Sequence, residues 1–268
     1  MKTCPAKYQM KFANALLLSL VGALCACANL GAQKADPAAL SKEAIAAIVA
    51  NPDRSAADRH NDLRRKPAEM LAFIGVWPGM VALDLGAAGG YTSELLARAF
   101  GPTGRVFGQN APRAPGAAPR PSSAQTLVDR AKNPLVANVV PVIRKFEDPV
   151  PPEVANGGLD LVTIMFSYHD LGQMKVDRGQ MNKAVFAALK PGGFYVIADH
   201  AGRAGTEISE SGTLHRIEEA FLRREVESAG FKLAQRGDFL GNPLDPRDKN
   251  TPDPVQPKDE FVLKFVKP

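Results

Sequence analysis

The stretch that decides the fold is VALDLGAAGGYTSELLARAF, residues 81–100. Met80 to Leu85 carries one charge, Asp84, among apolar side chains, as a strand covered on both faces does. Gly86, Gly89 and Gly90 then crowd a turn. From about Thr92 to Phe100 the apolar residues recur at helical spacing. Strand, glycine turn and helix open many nucleotide-cofactor sites, but the glycines do not fit the dinucleotide spacing G-x-G-x-x-G. That mismatch disfavours a nicotinamide oxidoreductase.

The same alternation continues downstream. RVFGQ (105–109), NVVPVI (138–143), LDLVTIMF (159–166) and FYVIAD (194–199) read as strands, with helices near 124–131 and ending at MNKAVFAAL (181–189). KPGG (190–193) reads as a turn, and a helix is expected over about 212–229. FKLAQRGDF (231–239) and DEFVLKFV (259–266) close the chain as a strand pair. APRAPGAAPRPSSA (111–124) reads as an irregular surface loop. Alternating β and α implies an α/β doubly wound sheet with helices on both faces, and ligands bound at the carboxyl ends of the strands.

The 84–90 turn resembles motif I of class I S-adenosylmethionine-dependent methyltransferases, D/E-x-G-x-G-x-G, with Asp84, Gly86, Ala88 and Gly90 in the motif positions. LDLV (159–162) and ALKPGGFYVIAD (188–199) resemble the family's fourth strand, LKPGG turn and fifth strand. RKPAEMLAFIGVWPG, YHDL and LHRIEEAF…AGF resemble a group of predicted exported bacterial methyltransferases. The resemblance implies a mostly parallel seven-stranded Rossmann-like sheet with an antiparallel last strand, S-adenosylmethionine as cofactor and a small-molecule methyl acceptor. It also implies roles. Asp84 would hold the turn or reach the cofactor's ammonium, and the turn at Gly86, Ala88 and Gly90, with Tyr91 after it, would face the methionine part. Asn110 stands where the family has an acid on the ribose, and Asp148 resembles the acid on the adenine amino group.

Four histidines are present. His60 lies in the charged stretch DRSAADRHNDLRRKP, which reads as a solvated helix. His169, His200 and His215 all fall after strands four and five, on the rim where such sheets bind ligands. With Asp170 they form the candidate catalytic group. A neutral imidazole suits a general base, and His169, after strand four, is the preferred one. ADH (198–200) also resembles the Asp-Asn pair of metal-dependent O-methyltransferases, with Asp170 as a further oxygen ligand, but a hard ion prefers oxygen and His200 is a poor substitute. No metal ligand is assigned.

The N-terminus reads as an export signal. Lys2, Lys7 and Lys11 precede an apolar run from Phe12 to about Ala28 that is short for a spanning helix, an uncleaved N-terminal anchor being the alternative. These lysines supply three of the five formal net positive charges. All three cysteines, Cys4, Cys25 and Cys27, lie here. LCAC resembles a lipobox, so Cys27 is a candidate lipidated residue and membrane tether; cleavage after Ala28 is the alternative. The expected organisation is signal at 1–28, tether and N-terminal helices at 29–66, and methyltransferase-like domain at 67–268. The expected location is the periplasm, free or membrane-anchored. No basic stripe with interleaved aromatics points to nucleic acid. The rival to an enzyme is an exported protein that keeps the fold and binds a nucleoside-like ligand without catalysis.

Overall fold

Val81–Leu85 forms β1, the central strand of a seven-stranded sheet in a computed structural model that describes Met1 and residues 38–113, 122–252 and 255–268. The readings of the signal, of Cys27 and of the tether up to residue 37 lie outside the described residues, as do residues 114–121 of the Pro/Ala loop. Around β1 run β2 (Arg105–Asn110), β3 (Val139–Ile143), β4 (Leu159–Met165), β5 (Leu189–His200), β6 (Lys232–Gly237) and β7 (Glu260–Val266). Their order is β3-β2-β1-β4-β5-β7-β6. β1 is parallel to β2 and β4, with Leu83 opposite Phe107 and Val162. β7 runs antiparallel to β5 and β6. This is the Rossmann-like methyltransferase fold expected from the sequence.

The strands are apolar on both sides because both sides are covered. On one face Leu83 and Leu85 pack with Met181 and Val185 of α7 (Arg178–Ala188) and Leu222 and Val226 of α8 (Glu219–Glu227). On the other, Ala82 packs with Ile45 of α1 (Lys42–Val49), Ile74 of α3 (Pro67–Ile74) and Leu95, Leu96 and Phe100 of α4 (Tyr91–Phe100). Between α1 and α3 lies α2 (Ala56–Arg65), α5 (Ser123–Arg130) follows the loop, and the short α6 (Asp170–Gln173) follows β4. Ser41 and Ser55 cap α1 and α2 by accepting from Ala44 N and Asp58 N, and Pro67 opens α3, where its missing N–H costs nothing. The chain leaves β1 outward to β2 and β3, then returns to β4 on the other side of β1. That reversal opens a crevice at the carboxyl ends of β1 and β4.

Three expectations are corrected. KPGG is not a turn before β5 but part of it, with Gly192 at φ +77° and its N–H on Lys267 O. The helix expected over 212–229 is confined to Glu219–Glu227. Upstream, tertiary bonds outcompete helical ones. Ser211 Oγ donates to His169 O and accepts from Gln173 N. Arg216, fully buried, reaches Ala201 O, Lys249 O and Asp245. The charged stretch at 53–67 is not simply a solvated helix: Arg54 and Asp58 are buried, while His60 is exposed as expected.

Candidate cofactor cleft and histidine cluster

The turn after β1 is built from left-handed residues at alternate positions: Gly86 at φ +60°, Ala88 at +49° and Gly90 at +86°. Ala88 therefore holds the conformation that glycine enters freely, at a cost of about 1–2 kcal/mol. A Cβ at Gly90 would stand 2.5 Å from Leu127 Cδ1, so the buried Leu127 side chain would have to shift to admit it. Asp84 is buried beneath the turn, and its carboxylate oxygens accept from Ser93 Oγ at 2.6 Å and Thr163 Oγ1 at 2.7 Å. Burial pushes its carboxyl up to about 6, against the pull of the two hydroxyl donors. Gln109, at the end of β2, clamps the turn: Oε1 accepts from Gly86 N at 3.0 Å and Nε2 donates to Arg144 O at 2.6 Å.

Above the turn opens a cleft of about 250 Å³, lined by Gly86–Gly89, Tyr91 and Met165 and, from α2, by Asp58, Asn61 and Arg65. Tyr91 Oη donates to Asp62 at 2.6 Å, and Asp62 also accepts two bonds from Arg54. Arg130 closes the far side. Its Nε donates to Gly89 O at 2.8 Å and its guanidinium pairs with Asp58 and Glu94. The guanidinium carbon of Arg65 lies over two rings, 5.0 Å from the Tyr91 centroid and 4.8 Å from that of Phe166. Burial and the neighbouring Arg64 weaken its hold on its proton, and its Nε is buried without a hydrogen-bond partner. The sequence alone gives the α2 residues no role beyond that of a solvated helix. A signal was there: Asp58, Asp62 and Arg65 sit at i, i+4 and i+7, one face of a helix.

The other expected cofactor residues divide. Asp84, Gly86, Ala88 and Tyr91 line the cleft, and Gly90 starts α4 beside it. Asn110 turns onto the motif itself, its Nδ2 donating to Ala88 O at 3.1 Å. Asp148, expected at the adenine, is not among the residues lining this cleft; it is exposed and pairs with Arg144.

The three rim histidines do meet. The His169 and His200 rings are 5.3 Å apart, and those of His169 and His215 are 5.6 Å apart, edge to face. His169 Nδ1 lies 2.6 Å from Asp199 Oδ1, and Nε2 lies 3.2 Å from Asp170 Oδ1. His215 Nδ1 is 3.0 Å from the same Asp170 oxygen. Burial works against a charge on His169, but Asp170 and Asp199 outweigh it and hold the imidazole up at about 9. Burial likewise opposes charge on Asp170, yet His169 brings that carboxyl down to about 2. His169 is thus a buried cation at neutral pH with both nitrogens on carboxylates, not the free imidazole a general base requires. His200 is the reverse. Burial lowers it to about 3, and its Nδ1 stands 2.9 Å from Glu260 Oε1 without hydrogen-bond alignment. Burial pushes Glu260 up to about 7, although Arg64 bonds it at 2.7 Å. His200 stacks on Phe166 at 5.7 Å, and Phe166 also packs against Arg65, so the cluster lies one ring behind the cleft. Asp199, read from sequence only as part of the metal-like ADH pair, accepts from the backbone N–H of both His169 and His200.

No family model matches the sequence, and no curated protein matches it. Solved structures do. An S-adenosylmethionine-dependent methyltransferase from Aquifex aeolicus is 16% identical with a TM-score of 0.57, over 85% of this chain and 100% of that one. An arsenic(III) S-adenosylmethionine methyltransferase from Chlamydomonas reinhardtii is 15% identical with a TM-score of 0.52, over 84% of this chain and 73% of that one. The cyclase SpnF is 16% identical with a TM-score of 0.54, over 80% of this chain and 82% of that one. At such identities the likeness is one of fold, and a cyclase among the neighbours illustrates that the fold alone does not set the reaction.

Proposed function

We propose that the protein binds S-adenosylmethionine over the 86–90 turn and transfers its methyl group to a small-molecule acceptor. One observation carries this: a left-handed turn, anchored by buried Asp84, opens a cleft at the sheet's switch point into which Arg65 brings a partly unpartnered guanidinium. The residues fit the cofactor. Backbone N–H groups of the turn and Arg65 suit its carboxylate, and the field of Asp84 suits its ammonium. Asn110 would exchange Ala88 O for a ribose hydroxyl. The cofactor supplies an electrophilic methyl on a sulfonium. The chain's part is to hold it, to exclude water with Tyr91, Met165 and Phe166, and to set the β4 loop through the His169–Asp199 pair. The neighbours named above as S-adenosylmethionine-dependent support this reading.

Calorimetry with S-adenosylmethionine and S-adenosylhomocysteine tests it. Wild-type protein should bind both saturably, and Gly86→Val should not, because φ +60° is strained for valine and a Cβ there stands 3.0 Å from Ser167 Oγ. No binding at millimolar ligand would overturn the proposal. Ala88 and the turned-in Asn110 favour a second reading, an exported ligand-binding protein without catalysis. Binding of S-adenosylmethionine with no S-adenosylhomocysteine formed against phenol, amine, carboxylate and thiol acceptors would decide for it. Export and lipidation are part of the same proposal. Membrane association should disappear on Cys27→Ser when cells are fractionated; association that persists would refute lipidation.

A further inference from the structure

We propose that His169, Asp170 and His215 form a binding site for a first-row divalent ion of borderline softness, Zn²⁺ being the representative, with Asp199 as its outer-shell support. The three ligand atoms, one per residue, all lie within 4.8 Å of one another. Two of the separations, 3.2 Å for His169 Nε2 to Asp170 Oδ1 and 3.0 Å for His215 Nδ1 to the same oxygen, match the roughly 3–3.5 Å between ligands placed about 2.0–2.2 Å from a tetrahedral ion. Two imidazole nitrogens and one carboxylate oxygen suit Zn²⁺ and its transition-metal neighbours rather than Mg²⁺ or Ca²⁺, which want oxygen.

The outer shell points the same way. Metal-bound histidines almost always give their second ring nitrogen to a carboxylate or carbonyl, which sets the tautomer and aims the first nitrogen at the ion. His169 does this: Nδ1 faces Asp199 Oδ1 at 2.6 Å, and fully buried Asp199 is itself fixed by the N–H groups of His169 and His200. Nε2 is left directed at Asp170. His215 is brought in from a separate segment in a left-handed conformation, φ +50°, a strain that persists only where surroundings impose it. Ser211, four residues before His215, ties that segment to His169 O and Gln173 N. Access comes from the solvent side, where the Asp170 and His215 side chains are 34% and 38% exposed while His169 is 3% exposed. An ion would take the place of the Nε2 proton and displace the Gln173 amide from Asp170 Oδ1. Three protein ligands leave a fourth position for water or for a heteroatom of a second molecule. The Asp199–His200 pair suggested by ADH is not this site, since both Asp199 oxygens are already engaged.

The site stands apart from the cofactor proposal and is tested without activity. The full-length chain with its thiols alkylated is titrated with Zn²⁺ by calorimetry and with Co²⁺ by visible absorption. We expect one ion per chain and the d–d bands of low-coordinate Co²⁺. His215→Ala and Asp170→Asn change partly exposed side chains, so the fold should persist, as circular dichroism will check. Each should weaken binding by about 100-fold or more, and Asp199→Asn by about 10–100-fold. His60→Ala should bind as wild type does. Absent stoichiometric binding, equal affinity in wild type and His215→Ala, or an equal loss in His60→Ala would each overturn the proposal.

Discussion

Asp84 is the residue on which the motif turns. It is buried, and both carboxylate oxygens are taken by hydroxyl donors. With its pKa raised from 3.8 to about 6, the folded state favours the neutral form. Its contribution to folding is complete below about pH 4 and is lost as pH rises through about 6. Ligand binding has the opposite sign. The ammonium and sulfonium of S-adenosylmethionine favour an ionised Asp84, so affinity should rise between about pH 5 and pH 7. Calorimetry across that window checks this, with Asp84→Asn expected to remove the rise. A flat profile in wild type would show that Asp84 only holds the turn. Ala88 carries a Cβ and still adopts the left-handed φ that glycine enters without strain.

At the scale of elements, the joint between α2, α4 and α5 carries the cleft. Arg130 on α5 neutralises Asp58 of α2 and Glu94 of α4 while bonding the motif carbonyl Gly89 O. Side chains here are at most 16% exposed, so the pairs are little screened. Removing the cation leaves Asp58 buried without its ion-pair partner, while Glu94 keeps Arg98 at 2.9 Å; stripping one buried carboxylate of its cation typically costs about 3–5 kcal/mol. Arg130→Ala should therefore lower the urea midpoint by that much stability and weaken cofactor binding with it. A loss under about 1 kcal/mol would mean the network behaves as a surface pair. The shortened α8 teaches the same lesson from the other side: the helical pattern from Gly212 is overridden because Ser211 and Arg216 find better partners elsewhere.

Across the whole molecule, the N-terminal helices are integral to the unit spanning Pro37–Pro268. Arg64 of α2 bonds Glu260 of β7 at 2.7 Å, and Lys264 of β7 donates to Ile74 O at the end of α3 at 2.8 Å. Ligand bound in the cleft should therefore be felt far from the motif in sequence. At about 100 times Kd, S-adenosylmethionine should stabilise the protein by about 2.7 kcal/mol. Hydrogen exchange should slow in residues 56–65 as well as in 86–92. Protection confined to 86–92 would show that α2 lies outside the binding site.

Much of this was legible in the chain. The apolar strands, the glycine turn and the strand pair at the end determine the doubly wound sheet, because period, length and turn chemistry are local properties. The rim position of three histidines followed from the same alternation, since residues after parallel strands share one edge. What they do there was decided only in three dimensions. Whether an imidazole is a base, a cation or a ligand depends on which carboxylates face it, and Asp199 and Asp170 reach His169 through packing that no local pattern encodes. The role of α2 was hidden for the same reason. A helix rich in charge reads as solvated until Arg130, some 70 residues onward, supplies the buried partner that makes its acids part of the site.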